Sequence, residues 1–135
     1  MKERYLDLME KAVSAYTIAQ IEAYIASVRK EGLAEHGFPR MAANIGILLA
    51  HGRVAHLRDL FVQIMDLCAQ EMPVALHKYQ SPRVGNEFTV REITLCLLEL
   101  EKAQTFPAEQ IAQWKAAMAS FDPWEVYSEI APFPP

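Results

Sequence analysis

The stretch Gly37–Gly52, GFPRMAANIGILLAHG, constrains the fold more than any other part of the chain. Between Met41 and Ala50 it contains no charged side chain, and small residues alternate there with large apolar ones. A short helix that is apolar on nearly all sides is buried on nearly all sides. Gly52 suits the left-handed backbone conformation that often ends a helix. The sequence therefore predicts an inner helix that follows Pro39 and has other helices packed around it.

Composition and charge exclude several classes of protein. The 135 residues are enough for one domain with a sizeable core. Thirteen Lys and Arg are scattered among seventeen Asp and Glu, without the basic stripe of a nucleic-acid-binding protein. The charged N-terminus, MKERYLDLMEK, lacks the apolar core of a signal peptide, and no apolar run approaches the roughly 18 residues of a membrane span. We therefore expect a cytoplasmic protein with no nucleic-acid or membrane partner.

The two cysteines, Cys68 and Cys96, lie among apolar neighbours in segments of helical periodicity. Free cysteine behaves as a small apolar side chain, and disulfides are rare in the cytoplasm. We expect two reduced thiols in the core, with a disulfide or a reactive thiol as the alternative.

The N-terminal region, residues 2–31, contains no proline or glycine and predicts helix throughout. Two apolar stripes run along it and point in nearly opposite directions at about 100° per residue. The first stripe contains Tyr5, Met9, Val13 and Tyr16, and the second contains Ile18, Ile21, Ile25 and Val28. Either the helix breaks between Ser14 and Thr17, or one continuous helix has neighbours on both sides. Because nothing in the sequence forces a break, the continuous helix is favoured.

Residues 53–72 show the clearest amphipathic pattern. The apolar side contains Val54, Leu57, Phe61, Ile64, Cys68 and Met72, and the polar side contains Asp59, Gln63, Asp66 and Gln70. The tight connection at Gly52 makes this third helix an antiparallel neighbour of the inner helix. Pro73 is expected to end it, which leaves residues 73–88 as the longest irregular segment. Such a loop often carries function, although it suits a passive connector equally well.

Three further helices are predicted after this loop. Thr89 and Glu92 match a capping box and predict a fourth helix as far as Gln104, again buried broadly. Pro107 suits the first turn of a fifth helix, with the apolar stripe Ile111, Trp114, Met118 and Phe121. A cap at Asp122 starts a short sixth helix.

The elements together predict an all-α fold without β-sheet, built from about six helices in antiparallel hairpins within a single domain, residues 1–135. Broadly apolar helices alternate with amphipathic ones, as a two-layer helical array requires. The proline-rich ending, Ala131–Pro135, is typical of a segment that leads into further structure. We therefore expect either a complete domain or the N-terminal piece of a longer protein.

Motifs for metal, phosphate or nucleophilic chemistry are absent from the sequence. No histidines have the spacing of HExxH, and the cysteines form no CxxC. Neither a glycine-rich phosphate loop nor a GxSxG is present. Carboxylate pairs such as Glu99 and Glu101 fall on faces expected to be solvated. We predict no catalytic residue, no metal site and no cofactor.

Five polar residues at loops and helix entrances are candidates for ligand binding: Arg40, Asn44, Tyr79, Arg83 and Asn86. Arg40 and Asn44 lie one turn apart at the start of the inner helix, and the other three lie in the long loop. Their functional groups bind carboxylates and hydroxyls in proteins. The alternative for Arg40 and Asn44 is structural, with both side chains tying loop carbonyls to the helix.

Three segments, GFPRMAANIGILLAHG, RVGNEFTVREITLCLLELE and DPWEVYSEIAPFPP, resemble the N-terminal portion of bacterial proteins related to the heparinase II/III group. The resemblance implies helical hairpins in an (α/α)-toroid-like array. It also implies a carbohydrate-active protein whose substrate class is a uronic-acid-containing or related polysaccharide. It assigns no catalytic residue, because the acid/base tyrosine and histidine of such lyases match no position here. The toroid also needs many more helices than six.

Two functions from different classes are therefore predicted. The first is a helical segment of a polysaccharide-degrading protein, lyase-like or glycosidase-like, that binds an acidic polysaccharide or oligosaccharide and is not catalytic alone. The second is a self-standing helical protein-interaction or dimerisation domain. Its partner is a second copy or a missing C-terminal region. Apparent size in solution, compared with the exposed apolar surface, distinguishes the two.

Overall fold

The computed structural model describes the backbone of residues 3–33, 37–79 and 84–118, and the side chains of residues 3–33, 37–72 and 90–118. These residues form six α-helices and a short 3-10 helix, Ala55–Leu57, and contain no strand. The α-helices are α1 (Glu3–Ser14), α2 (Ile18–Glu31), α3 (Gly37–Ala50), α4 (Arg58–Tyr79), α5 (Val84–Ala103) and α6 (Ala108–Met118). The all-α prediction is confirmed for the described residues, and the toroid-like array stays a prediction.

Helix α3 lies at the centre of this fold. Helices α1, α4 and α5 pack against it, and nine of its fourteen residues are buried. This confirms the predicted inner helix, which begins slightly earlier than expected, at Gly37. An ion pair joins Arg40 to Glu92 near the start of α3, and the His51 imidazole lies 3.6 Å from the Glu99 carboxylate just past its end. Helices α3 and α5 therefore run in the same general direction, with α4 connecting them.

At Gly46 the backbone of α3 lies close to side chains of both α4 and α5. A Cβ built on Gly46 would lie 2.2 Å from Cys96 Sγ of α5 and 2.9 Å from the Phe61 ring of α4. Glycine inside a helix costs about 1 kcal/mol relative to alanine. The close packing of three helices at this position explains why glycine is nevertheless present.

The end of α3 is a Schellman motif built on Gly52. The Gly52 amide donates to the Leu49 carbonyl at 3.0 Å, and the Arg53 amide donates to the Leu48 carbonyl at 2.9 Å. Gly52 has a φ of +77°, the left-handed conformation that its position predicted. The hairpin with α4 is confirmed, although the 3-10 helix delays the start of α4 to Arg58.

The N-terminal region is two helices, so the favoured prediction of one continuous helix is wrong. Thr17 caps α2: the Gln20 amide donates to Thr17 Oγ1 at 3.1 Å, and the Thr17 amide donates to Gln20 Oε1 at 2.8 Å. This capping box satisfies two amides that a continuous helix would have bonded to the preceding turn. The break between Ser14 and Thr17, the alternative left open by the sequence, is what the structure contains.

The two N-terminal apolar stripes differ in their burial. Ile21, Ile25 and Val28 of α2 are buried as predicted. In α1 the buried residues are Leu6 and Val13. In the first stripe Met9 is half-buried, and Tyr5 and Tyr16 are exposed. Ile18 of the second stripe is also exposed. One side of α1 is therefore more open than its apolar pattern indicates.

Helix α4 does not end at Pro73, and the predicted long loop over residues 73–88 is also wrong. Helix α4 continues to Tyr79, and α5 begins at Val84. The fixed φ of proline is compatible with a helix, although its ring removes one backbone hydrogen bond and crowds the carbonyl four residues earlier. Thr89 lies inside α5, so the predicted capping box does not start that helix.

An aromatic cluster joins α6 to the rest of the core. The Trp114 ring lies edge-on to Phe61 and Phe106, with centroids 5.7 and 5.6 Å away. Its indole N–H donates to Asp66 Oδ1 at 2.8 Å, and the Arg58 guanidinium lies 3.9 Å from the Phe106 ring centre. The stripe predicted for this helix is confirmed at its three described positions; Phe121 and the predicted sixth helix lie outside the described residues.

Both cysteines are buried and free. Burial raises the pKa of the Cys68 thiol and of the Cys96 thiol well above the ordinary value. The expectation of two unpaired core thiols is confirmed.

Candidate functional site

A groove of about 490 Å³ lies where α1, α3 and α5 meet. We call it the α1–α3–α5 groove. Its lining residues are Tyr5 and Met9 of α1, Arg40, Ala43, Asn44 and Ile47 of α3, and Glu92 and Leu95 of α5. The volume lies within the range of small-ligand pockets, about 300–1,000 Å³. Most of the lining is apolar, with three polar side chains among the eight residues.

The groove follows from helical spacing on the three elements. Arg40, Ala43, Asn44 and Ile47 are one turn or two turns apart and share one face of α3. Helices α1 and α5 both pack against α3, and this face remains accessible where they do not cover it. Arg40 is exposed on this face, Asn44 and Ile47 are half-buried, and Ala43 is buried. The inner helix is thus open along one stripe in the described part of the molecule.

Large apolar side chains are exposed on both helices beside the groove. Tyr5 and Leu8 of α1 are 64% and 60% exposed, and Leu95 and Leu98 of α5 are 55% and 40% exposed. Single exposed apolar residues are normal on protein surfaces. Here the two residues on each helix are three positions apart, and one of each pair lines the groove. The expectation that α5 is buried on nearly all sides is therefore wrong at Leu95 and Leu98.

The charged part of the groove is an ion pair between Arg40 and Glu92. Nε and Nη2 of Arg40 donate to the two carboxylate oxygens of Glu92, each at 3.4 Å. These distances are longer than the 2.7–2.9 Å typical of a strong charge-assisted hydrogen bond. Both side chains are also partly exposed, 57% for Arg40 and 34% for Glu92. The pair is therefore weak, and both groups keep capacity to bind a further partner.

Asn44 lies among apolar neighbours in the groove and is half-buried. Its side-chain amide has two donors and an acceptor. Within the described residues this amide makes no hydrogen bond, so it does not tie a loop carbonyl to α3 there. A group that enters the groove therefore meets an amide that can both donate and accept.

Arg53 holds α1 in its place beside α3. Its Nη1 donates to Asp7 at 2.6 Å and to Glu10 at 3.3 Å, and its other terminal nitrogen binds Glu3. The hydrogen bond to Asp7 and the charges around it raise the pKa of Arg53. Val54, the next residue, has a φ of +48°, which is an unfavourable conformation for a β-branched side chain. The turn after α3 thus contains an unfavourable backbone conformation at Val54, directly after Arg53, which binds the acidic groups of α1.

The structure brings together two of the five predicted binding residues, Arg40 and Asn44. Tyr79 is the last residue of α4 and Asn86 lies within α5, but their side chains are outside the described set. Arg83 lies outside the described residues altogether. The role of these three stays a prediction.

Sequence reasoning missed six of the eight residues that line the groove: Tyr5, Met9, Ala43, Ile47, Glu92 and Leu95. It assigned Tyr5 to a buried stripe and Glu92 to a helix cap. A signal was present in α1, because its apolar residues, Tyr5, Leu6, Leu8, Met9 and Val13, cover more than one face of the helix. A helix at the edge of a domain needs only one buried face. The second face was therefore available for a partner.

The described residues contain no group of three histidine, cysteine or acidic side chains placed to hold a metal ion. Within the same part of the chain, every helix is too short or too polar to cross a membrane. The α1–α3–α5 groove offers binding groups, one cation, one anion and one amide, beside an apolar surface.

Comparisons of the chain with protein families, with curated proteins and with solved structures gave no match.

Proposed function

We propose that this chain is a helical protein-interaction domain whose α1–α3–α5 groove binds an apolar helical segment of a polypeptide. The observation that carries the proposal is the clustering of exposed large apolar side chains on α1 and α5 beside one groove. Tyr5, Leu8, Leu95 and Leu98 are each at least 40% exposed. Covering them removes apolar surface from water at about 25 cal/mol per Å².

The shape of the site supports a helix as the bound segment. The floor is one face of α3, and the residues of α1 and α5 stand beside it, which resembles the space that another helix fills in a bundle. Amphipathic helices bind such apolar grooves through side chains at positions i, i+3 or i+4, and i+7. Arg40 and Glu92 then provide polar contacts at the margin, and the Asn44 amide provides one inside.

A direct test is selection from a displayed library of helical peptides with randomised apolar and polar positions. The expected winners carry apolar anchors at helical spacing and bind the wild-type chain. Leu95→Asp should abolish their binding, because it places a charge where an apolar side chain must pack. Leu95 is more than half exposed, so this variant should keep its fold.

The matched control is Ile18→Asp. Ile18 is also an exposed large apolar residue, 44% exposed, but it lies on α2 and does not line the groove. Peptides that bind Leu95→Asp as well as they bind the wild type would show that the groove is not the interaction site. The same conclusion would follow if the selection gave no helical peptide whose binding is lost in the Leu95→Asp variant.

A second proposal, an acidic polysaccharide as ligand, is supported by one observation: Arg40, Asn44 and Tyr5 line the same groove. An arginine, an amide and an aromatic ring are a set that binds acidic sugars. A uronic carboxylate would have to compete with Glu92 for Arg40, and the net charge of −4 repels a polyanion. Binding of heparin or alginate that is lost in Arg40→Ala, without the unsaturated products of elimination, would favour this proposal over the first.

A further inference from the structure

We propose that the polypeptide bound in the α1–α3–α5 groove is a second copy of this chain, related to the first by a twofold axis. This inference rests on the proposed interaction function and names its partner. An interface between two copies about a twofold axis uses the same patch on both, so that patch must be its own complement. The polar groups, the apolar surface and the charge of the groove can each be compared with this requirement.

The polar groups of the groove are self-complementary. Arg40 and Glu92 contribute one cation and one anion, and their mutual contact is long and partly exposed. Across a twofold axis, Arg40 of each copy can approach Glu92 of the other, which gives a ring of alternating charges. The Asn44 amide both donates and accepts. A strongly basic or strongly acidic partner would instead leave one member of the Arg40–Glu92 pair facing a like charge.

The charge of this surface also favours a second copy. The whole chain has a net charge of −4, so two copies repel each other through most of their surfaces. The charged groups that line the groove are one cation and one anion, Arg40 and Glu92, which contact each other. The lining of the groove therefore has no net charge and does not itself repel a second copy.

The apolar surface provides both a projection and a recess. Tyr5 and Leu95 line the groove and are more than half exposed, whereas Ile47 is half-buried and Ala43 is buried in its floor. A surface that carries both features next to each other can pack on its own copy, with the projection of each copy in the recess of the other.

The experiment measures the self-association of the full chain by sedimentation velocity across roughly 1–300 μM, the range that resolves a micromolar Kd. We expect a concentration-dependent dimer for the wild type. Leu95→Asp should be monomeric, and Ile18→Asp should dimerise like the wild type. Circular dichroism melting of each variant verifies that a loss of association is not a loss of fold.

A mixed charge swap tests the contact between copies. Arg40→Glu and Glu92→Arg should each weaken the dimer about tenfold, because the twofold axis makes each substitution act at two places. Each variant carries like charges within its own chain. An equimolar mixture of the two should nevertheless associate more strongly than either alone, because the charges attract only across the interface.

Two outcomes would overturn the inference: a wild type that stays monomeric over the whole range, or a mixture that behaves as the sum of its parts. If the wild type is monomeric while selected peptides still bind the groove, the second copy is excluded and the interaction function stands. If neither association nor peptide binding depends on Leu95, both proposals fail.

Discussion

Substitution of Gly46 by alanine should destabilise the fold, although alanine is the better helix former. Gly46 lies in the middle of α3, close to side chains of both α4 and α5. At an exposed helical position the same change stabilises a protein by about 1 kcal/mol. A loss of stability in Gly46→Ala would therefore show that the packing of the three helices outweighs the helix propensity of alanine in α3.

The magnitude follows from the contacts of the added methyl group. Its carbon would lie 2.2 Å from Cys96 Sγ and 2.9 and 3.0 Å from two carbons of the Phe61 ring, where about 3.5–4.0 Å is ordinary contact. Phe61 is fully buried against Phe106 and Trp114, so it has little room to move. Overpacking of this kind costs up to about 3 kcal/mol. With the gain in helix propensity subtracted, we expect a net loss of about 2 kcal/mol.

The assay is chemical and thermal unfolding followed by circular dichroism. A loss of about 2 kcal/mol should lower Tm by roughly 6–10 °C for a chain of this length. A double-mutant cycle with Cys96→Ala identifies the cause, because that change removes the sulfur that the methyl group meets. Cys96→Ala alone should cost about 1 kcal/mol through the cavity it leaves. In the double variant the new methyl group occupies that space. The stability lost in the double variant should therefore be about 1–3 kcal/mol smaller than the sum of the losses in the two single variants.

Gly52→Ala is the matched control. Nothing lies within 4 Å of a Cβ at Gly52, and its φ is +77°. It should lose about 1 kcal/mol through backbone conformation alone and show no coupling to Cys96→Ala. A Gly46→Ala variant as stable as the wild type, or one whose loss is independent of Cys96, would refute the packing argument.

Two further predictions concern the core. Trp114→Ala should destabilise by about 3–5 kcal/mol, because Trp114 is 2% exposed and contacts two aromatic rings; a loss under about 1 kcal/mol in urea unfolding would contradict its role as a core anchor. The buried thiols of Cys68 and Cys96 should resist an aromatic disulfide reagent at pH 8 in the folded chain and react in denaturant. Because folding raises both pKa values above the ordinary 9.0, unfolding releases thiols that ionise more readily. These groups should therefore leave the free energy of unfolding unchanged below pH 9. Above pH 9 the free energy of unfolding should fall by at most about 1.4 kcal/mol per pH unit per thiol. Replacing both cysteines by alanine should remove that part of the loss at alkaline pH.

The candidate site could be predicted only in part. Arg40 and Asn44 were identified because they lie at a helix entrance and their functional groups bind carboxylates and hydroxyls, and both line the groove. Leu95 and Leu98 gave no such indication, because a leucine in a helix has the same pattern whether a neighbour covers it or not. The exposed apolar side chains of α5 were therefore the part of the site that sequence reasoning could not locate.

Several features were determined by the sequence alone, because they depend on residues within a turn or two of each other. The helical periodicity, the stop at Gly52 and the buried face of α6 are of this kind. The cap at Thr17 is equally local: the sequence carries the Thr17–Gln20 box, and the continuous-helix prediction overlooked it. A capping box needs only four consecutive residues.

Other features were decided only by the tertiary structure. The continuation of α4 through Pro73 is not visible locally, because proline is compatible with both a helix end and a helix interior that accepts one missing hydrogen bond. The need for glycine at Gly46 arises from Cys96 and Phe61, which are distant in the chain. The open sides of α1 and α5 likewise depend on which helices pack against α3. An apolar pattern indicates that a helix face can be buried. Whether that face is buried depends on the arrangement of segments that are distant in the chain.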